Sequence, residues 1–331
     1  MSNMVAITGG EGFIGSHLVE RLVVEGYRVR AMVQYNSFAS WGWLETLDDE
    51  VMRSVEVVLS DVRDGTAVRS FMEDAHTVYH LAALIAIPYS YEAPLSYIET
   101  NVVGTANVLQ AARELETPRV VHTSTSEVYG TALTVPIDEH HPLQGQSPYS
   151  ASKIGADKLA ESYFLSFGLP VATLRPFNTF GPRQSARAVI PTVVAQIAAG
   201  KRRILLGSLD PRRDFTFALD TAEAFLALGT AESDLVVGSV LNAGTGRDVS
   251  IRELVHTIAS VMDTQVEVDL DPARVRPPGS EVMRLQADAT EIHRRTGWKP
   301  RHTLEAGLAI TAEWFQNRDN LARYKPDQYN V

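Results

Sequence analysis

A Gly10-x-Gly12-x-x-Gly15 run sits between a short apolar strand, Val5-Ala6-Ile7, and a stretch with helical periodicity from Phe13 to Glu25. Few local patterns restrict a fold more. In strand–loop–helix context the first glycine allows a tight turn, and the second lets a pyrophosphate approach the backbone. The third lets helix and strand pack closely. The helix N-terminus then faces the anion, where its unpaired N–H groups and dipole favour negative charge. This predicts a dinucleotide cradle made of Gly9, Gly12, Phe13, Ile14 and Gly15.

The next 150 residues repeat the alternation. Tyr27–Val33, Val55–Leu59, Thr77–His80, Arg119–His122 and Val171–Leu174 are continuous apolar runs. Such runs suit parallel strands covered on both faces. Helical stretches separate them: Phe13–Glu25 is stopped by Gly26, and the helix opening at Pro148 has Ser147 to cap it and Gly168 to end it. The expected fold class is α/β, a Rossmann-type doubly wound parallel sheet. We place a dinucleotide-binding domain at residues 1–180 and a smaller α/β substrate domain at 181–331, with a segment near 213–245 returning to the first. At 331 residues the chain needs neither metal nor disulfide to fold, and no metal site is expected.

An NAD site usually has Asp or Glu at the end of the second strand. Here the chain reads Val33-Gln34-Tyr35-Asn36-Ser37, so Gln34 and Asn36 are expected to bond the ribose diol. No Arg follows to hold a 2′-phosphate, which favours NAD over NADP. Asp61 and Val62, after the third strand, are placed to touch adenine, unless Asp61 caps the next helix.

The balance of 30 Lys+Arg against 40 Asp+Glu, net −10, argues against a nucleic-acid or membrane-surface binder. No Cys is present, which excludes thiolate catalysis and Cys-ligated zinc. No basic leader and no apolar run of about 18 residues occur, so a soluble cytoplasmic protein is expected. Against that acidic background, residues 183–213 carry seven Lys/Arg and one acid, Asp210. That stretch is either a solvated face or a pocket for a phosphorylated ligand. The polar end, Arg318 to Val331, reads as a surface tail.

Tyr149 and Lys153 stand four apart on the well-capped helix and so share one face. An unaided Tyr cannot act as a base at neutral pH, but a nearby ammonium and a positive nicotinamide favour its phenolate. Thr123-Ser124-Thr125 ends the fifth strand and adds hydroxyls to the same region.

With these pieces in place, the chain resembles the extended short-chain dehydrogenase/reductases, specifically the NAD-dependent epimerase/dehydratase family that modifies nucleotide sugars. The resemblance rests on Thr8-Gly9-Gly10-Glu11-Gly12-Phe13-Ile14-Gly15, His80-Leu81-Ala82-Ala83, Asn101-Val102-Val103-Gly104-Thr105 and Glu127-Val128-Tyr129-Gly130. It continues through Tyr149-Ser150-Ala151-Ser152-Lys153, Arg175 to Arg183, Arg213-Asp214-Phe215 and Asn242-Ala243-Gly244. It implies that Tyr149 takes a proton from a sugar hydroxyl while NAD takes the hydride, with Thr125 on the same oxygen and Lys153 on the cofactor ribose. Leu81, Ala82, Ala83 and Asn101 would complete the cofactor site. Asn178, Arg187, Arg213 and Arg276 would hold the substrate's nucleotide diphosphate. A homodimer through the Tyr97–Leu115 and Pro148–Phe167 helices is implied, with Val108, Leu109, Leu159 and Phe164 at the contact unless they face the sheet.

Thr125-Ser126-Glu127 discriminates among reactions. In the resembling 4,6-dehydratases the triplet is typically Thr-Asp-Glu, where Glu removes the C5 proton and Asp protonates the departing C6 hydroxyl. Uronate decarboxylases also look like Thr-Ser-Glu, and simple 4-epimerases usually lack the Glu. Stretches at Tyr35–Leu44, Gln144–Tyr149 and Arg183–Arg187 resemble dehydratases of legionaminic-acid-type pathways, which act on nucleotide-linked N-acetylglucosamine. The expectation is therefore an NAD-dependent 4,6-dehydratase of UDP- or GDP-N-acetylglucosamine. A 4-epimerase, a 5,6-dehydratase, a uronate decarboxylase and a non-catalytic NAD-binding protein remain alternatives.

Overall fold

The apolar runs form strands that pair in parallel. In a computed structural model, which describes residues 4–326 and 328, the first six strands are β1 (Met4–Thr8), β2 (Arg28–Gln34), β3 (Val55–Ser60), β4 (Thr77–His80), β5 (Arg119–Thr123) and β6 (Val171–Pro176). Six more strands follow: β7 (Asn178–Phe180), β8 (Arg203–Leu206), β9 (Arg212–Phe217), β10 (Val240–Ala243), β11 (Asp248–Ser250) and β12 (Glu267–Leu270). The main sheet runs β10-β6-β5-β4-β1-β2-β3. Its order reverses beside β1, at the crevice where doubly wound sheets bind ligands. β1 and β4 are buried along their whole length, as two-sided coverage requires.

Helix ends follow their capping residues. Phe13–Val24 ends one residue before the expected stop, with Gly26 at φ +85°. The Pro148–Phe167 helix has a full capping box between Ser147 and Ser150 and ends at Gly168 in the left-handed conformation. The helix expected over Tyr97–Leu115 is interrupted. Pro94–Tyr97 leads into a π-turn, Ile98–Val103, before α-helix resumes at Gly104–Glu114. The wide turn carries Asn101, whose side chain bonds both the N–H and the C=O of Leu84 and the Ser152 hydroxyl. Such bulges inside helices often mark functional positions.

Val108 and Leu109 are buried in the core on the sheet side, and Leu159 and Phe164 pack against the same cluster. These four residues therefore face inward and do not form an outer contact face. The apolar positions those helices leave exposed include Ile98, Val103 and Leu165.

Beyond residue 180 a second apolar cluster, centred on Phe180, Val193, Phe217, Leu254 and Phe315, holds a three-stranded sheet β11-β9-β7 and a β12-β8 pair. The chain returns to the main sheet through the Ala218–Thr230 helix and β10, which pairs with β6. Ile292 and Trp298 pack there as well. The expected surface tail is in part packed: Tyr324 is buried against Phe315, and its ring stacks on Trp43. Residues 327 and 329–331 of that stretch lie outside the described residues. No helix among the described residues is long and apolar enough to cross a membrane.

Arg183, which follows β7, reaches back to the Phe13–Val24 helix. Its guanidinium bonds Glu20 at 2.6 Å, and the neighbouring Pro182 carbonyl lies 3.0 Å from His17 Nε2. Burial, with help from the Arg183 charge, pushes the His17 pKa down to about 4. Between pH 6.5 and 4 the unfolded chain therefore binds more protons here than the folded one. This contribution to stability is fully present above pH 6.5 and is lost progressively below it. Lowering the pH from 7.5 to 5 should cost ~2 kcal/mol at this residue. Urea midpoints at the two pH values measure the loss, which His17→Gln should reduce; an unchanged acid loss in that variant would disprove the assignment.

Candidate active site

A cleft of about 620 Å³ opens at the sheet's reversal point and runs from the glycine loop to the Arg213 and Arg276 guanidinia. Three parts line it.

The first is bare backbone. Gly9 adopts φ +72°, and a Cβ there would lie 2.8 Å from the Ala82 nitrogen. Gly12 N–H donates to the Gly9 carbonyl at 3.1 Å, and Ser16 N–H to the Gly12 carbonyl at 2.9 Å, which opens the helix. At Gly15 a Cβ would overlap the Gly9 carbonyl oxygen. The turn-forming glycine is thus Gly9, not Gly10 as the spacing suggested. Gly10 lacks positive φ and instead needs its missing Cβ because Ala31 Cβ would sit 2.9 Å away. No acidic residue occupies the first helical turn, so the cradle fits a dinucleotide pyrophosphate.

Phe13, Ile14, Gln34, Asp61, Val62, Leu81, Ala82 and Ala83 also line the cleft. Asp61 is held by Arg63, which lowers its pKa. The cap of the next helix is Asp64, which accepts Thr66 N–H and Ala67 N–H, so the capping alternative for Asp61 does not hold. Two expected cofactor contacts stand outside the lining. Asn36 spends its side chain on its own turn, accepting from Phe38 and Ser40 N–H and donating to the Gln34 and Ser40 carbonyls. Asn101 lies behind the cleft wall and ties the loop after β4 to the Tyr149 helix.

The second part is a cluster of the expected catalytic residues. Thr125, Ser126, Glu127, Tyr149 and Lys153 converge on the cleft. Thr125 Oγ1 accepts the Glu127 backbone N–H at 3.2 Å and caps the short turn Ser126–Tyr129. Lys153 Nζ donates to the Thr123 carbonyl at 2.6 Å. Burial lowers the Lys153 pKa to about 8, with the Asp157 charge opposing that shift. Burial pushes the Tyr149 phenol well above the usual value; the Thr125 hydrogen bond pulls the other way, and the Glu127 charge adds to the rise. The Lys153 ammonium is turned to the Thr123 carbonyl, so the protein on its own keeps Tyr149 neutral.

Beneath this cluster lies a buried polar network. Thr8, His80 and His122 stand in register on β1, β4 and β5. Thr8 Oγ1 lies 2.8 Å from His80 Nδ1, and His122 Nε2 lies 3.2 Å from Asp157 Oδ1. Asp157 Oδ2 accepts Ser124 at 2.7 Å and Arg175 Nη2 at 2.9 Å, and Arg175 continues to the Tyr129 hydroxyl at 2.9 Å.

The third part is basic. Asn178, Arg187, Arg213 and Arg276 all line the far end of the cleft. Arg213 is buried and bonds Glu281 Oε1 at 3.3 Å, while Arg276 Nη1 lies 3.8 Å from the same oxygen. One carboxylate thus presents two guanidinia as a fork suited to a diphosphate. Glu281 escaped sequence reading because it lies 68 residues from Arg213. Asn178 Oδ1 is buried with no partner among the described residues.

A family model described as GDP-mannose 4,6 dehydratase matches residues 6–311. UDP-glucose 4-epimerase of Mycolicibacterium smegmatis is 32% identical over 318 residues, covering 94% of this chain and 98% of that protein. dTDP-glucose 4,6-dehydratase of Xanthomonas campestris is 32% identical over 329 residues, covering 93% and 92%. The structure of the Streptomyces venezuelae dTDP-glucose 4,6-dehydratase with NAD bound superposes with a TM-score of 0.86 at 29% identity, covering 98% of this chain and 99% of that one. A cradle of bare glycines, a Thr–Tyr–Lys cluster and a match over nearly the whole chain lead to one conclusion: the chain belongs to the GDP-mannose 4,6-dehydratase family of extended short-chain dehydrogenase/reductases.

Proposed function

We propose that this enzyme is an NAD-dependent 4,6-dehydratase of UDP- or GDP-N-acetylglucosamine, forming the 4-keto-6-deoxy sugar. The observation that carries the reading is Glu127, a carboxylate in the same cleft as Thr125 and Tyr149 and close enough to act on both Tyr149 and Arg213. Oxidation of a 4-hydroxyl alone, as in epimerisation, needs no such base. Bound NAD would supply the oxidant and a positive charge beside Tyr149.

The protein's own groups account for the proton movements. The Tyr149 oxygen takes the proton of the sugar 4-hydroxyl, with Thr125 Oγ1 bonding the same oxygen. Lys153 holds the nicotinamide ribose. Once C4 is a ketone, the C5 proton is acidic and the Glu127 carboxylate removes it. Ser126 is a poor acid, so Glu127 hands that proton to the departing C6 oxygen and water leaves. With the hydride then returned to C6 and the proton held on Tyr149 relayed to C5, the product would be the 4-keto-6-deoxy sugar and the cofactor would end oxidised. Arg213 and Arg276 clamp the diphosphate. The homodimer belongs to the same reading and would use outer faces carrying Val103 and Leu165.

Mass spectrometry of the protein incubated with UDP- and GDP-N-acetylglucosamine tests this reading. Loss of one water from one of them is expected, with a proton spectrum showing a 4-ketone. An unchanged mass with a new stereoisomer would establish a 4-epimerase instead. Carbon dioxide from the corresponding uronate would establish a decarboxylase.

A further inference from the structure

Glu11 stands in the glycine loop, one residue before Gly12. Its Oε1 accepts the Gln34 backbone N–H at 2.9 Å, which puts the carboxylate at the C-terminal end of β2. In doubly wound sheets that is where an acid from the second strand bonds the adenosine ribose. Here the second strand brings no acid, and Asn36 is consumed by its own turn. The other Glu11 oxygen, Oε2, is buried and has no hydrogen-bond partner among the described residues. Ser60 Oγ, at the end of β3, is also buried and without a partner among the described residues. Glu11, Gln34 and Ser60 all line the cleft.

A buried carboxylate oxygen without a donor is costly and calls for one from a ligand. Burial raises the Glu11 pKa, against the backbone hydrogen bonds that lower it. The loop after β2 holds the group in place: Trp43 N–H donates to the Glu11 carbonyl at 3.0 Å, and Gly42, at φ +59°, packs on the Glu11 backbone. We propose that Glu11 Oε2 accepts the 2′-hydroxyl of the adenosine ribose and so selects NAD over NADP, replacing the acid missing from the second strand. A 2′-phosphate brings no equivalent donor and places negative charge against the carboxylate. Residues 34–43 contain no Lys or Arg to offset it.

The inference rests on the dinucleotide reading of the cleft but not on the reaction, and its readouts need no sugar. Full-length protein is equilibrated with NAD and one competitor, either NADP or 2′-deoxy-NAD, and the retained nucleotide is quantified. Wild type should prefer NAD over 2′-deoxy-NAD by about tenfold, equivalent to ~1.4 kcal/mol. Glu11→Gln keeps an oxygen for the Gln34 N–H. It should reduce the NAD over NADP preference at least about tenfold with an unchanged melting temperature. Equal retention of NAD and 2′-deoxy-NAD by wild type would overturn the proposal, whatever the variant's stability. So would a Glu11→Gln protein with native melting and undiminished preference.

Discussion

Glu127→Gln should lower turnover of the sugar nucleotide about a thousandfold, in the middle of the range general acid–base groups supply, while leaving its binding nearly unchanged. The amide matches the carboxylate in volume. The backbone of residue 127 is fixed independently by its N–H bond to Thr125 Oγ1, so the cluster should keep its shape. Thr125, Tyr149 and Lys153 would remain able to remove the 4-hydroxyl proton. Substrate added to the variant should therefore raise the absorbance of reduced nicotinamide without any loss of water. A 4-epimerase would behave differently, because its chemistry uses the same three residues and leaves Glu127 idle. Water loss at more than a tenth of the wild-type rate would remove Glu127 from the role of C5 base.

The parts of this site that were legible in the sequence are those made by neighbours along the chain. Ser147, Pro148 and Gly168 delimit a helix, and that helix forces Tyr149 and Lys153 onto one face. Glycine spacing in strand–loop–helix context picked out a loop that does line the cleft, although the turn falls at Gly9 and the contact with Ala31 at Gly10. What spacing could not show were contacts made across the fold. Glu281 meets Arg213 over 68 residues, and Arg175, Tyr129 and Asn242 meet only because β6, β10 and the turn after β5 converge. Asn36 misled for a related reason. Its residue type suits a ribose, but Asn side chains also bond nearby backbone, and here the local turn wins. For Tyr149, proximity to an ammonium was legible, whereas its burial and the direction of the Lys153 donor were not. Val108, Leu109, Leu159 and Phe164 show that helical apolar positions identify a buried face without saying what buries it.

Asp157 lies two turns beyond Tyr149 and one beyond Lys153 on the same helix face, buried among His122, Ser124 and Arg175. Those partners overcome its burial and hold its pKa down to about 2, so it stays charged throughout the working range. Removing it would strand the buried Arg175 guanidinium, and breaking such a pair typically costs ~3–5 kcal/mol. Asp157→Ala should lose about that much in urea unfolding, with Asp157→Asn losing less because one oxygen remains to accept. The functional consequence has a definite sign. The Asp157 charge is what opposes the burial-driven fall of the Lys153 pKa, and it also raises that of Tyr149. In Asp157→Asn both groups should titrate at lower pH than in wild type. Lys153 would then lose its proton earlier on the alkaline side, and retention of NAD above neutral pH should fall sooner. A purely structural role would lower stability at every pH without moving that limb. The test is the pH profile of NAD retention and turnover in Asp157→Asn, taken where the variant is still folded. An alkaline limb coincident with wild type would show that the network supports the sheet alone, whereas an acidward shift would show that the buried carboxylate keeps Lys153 charged.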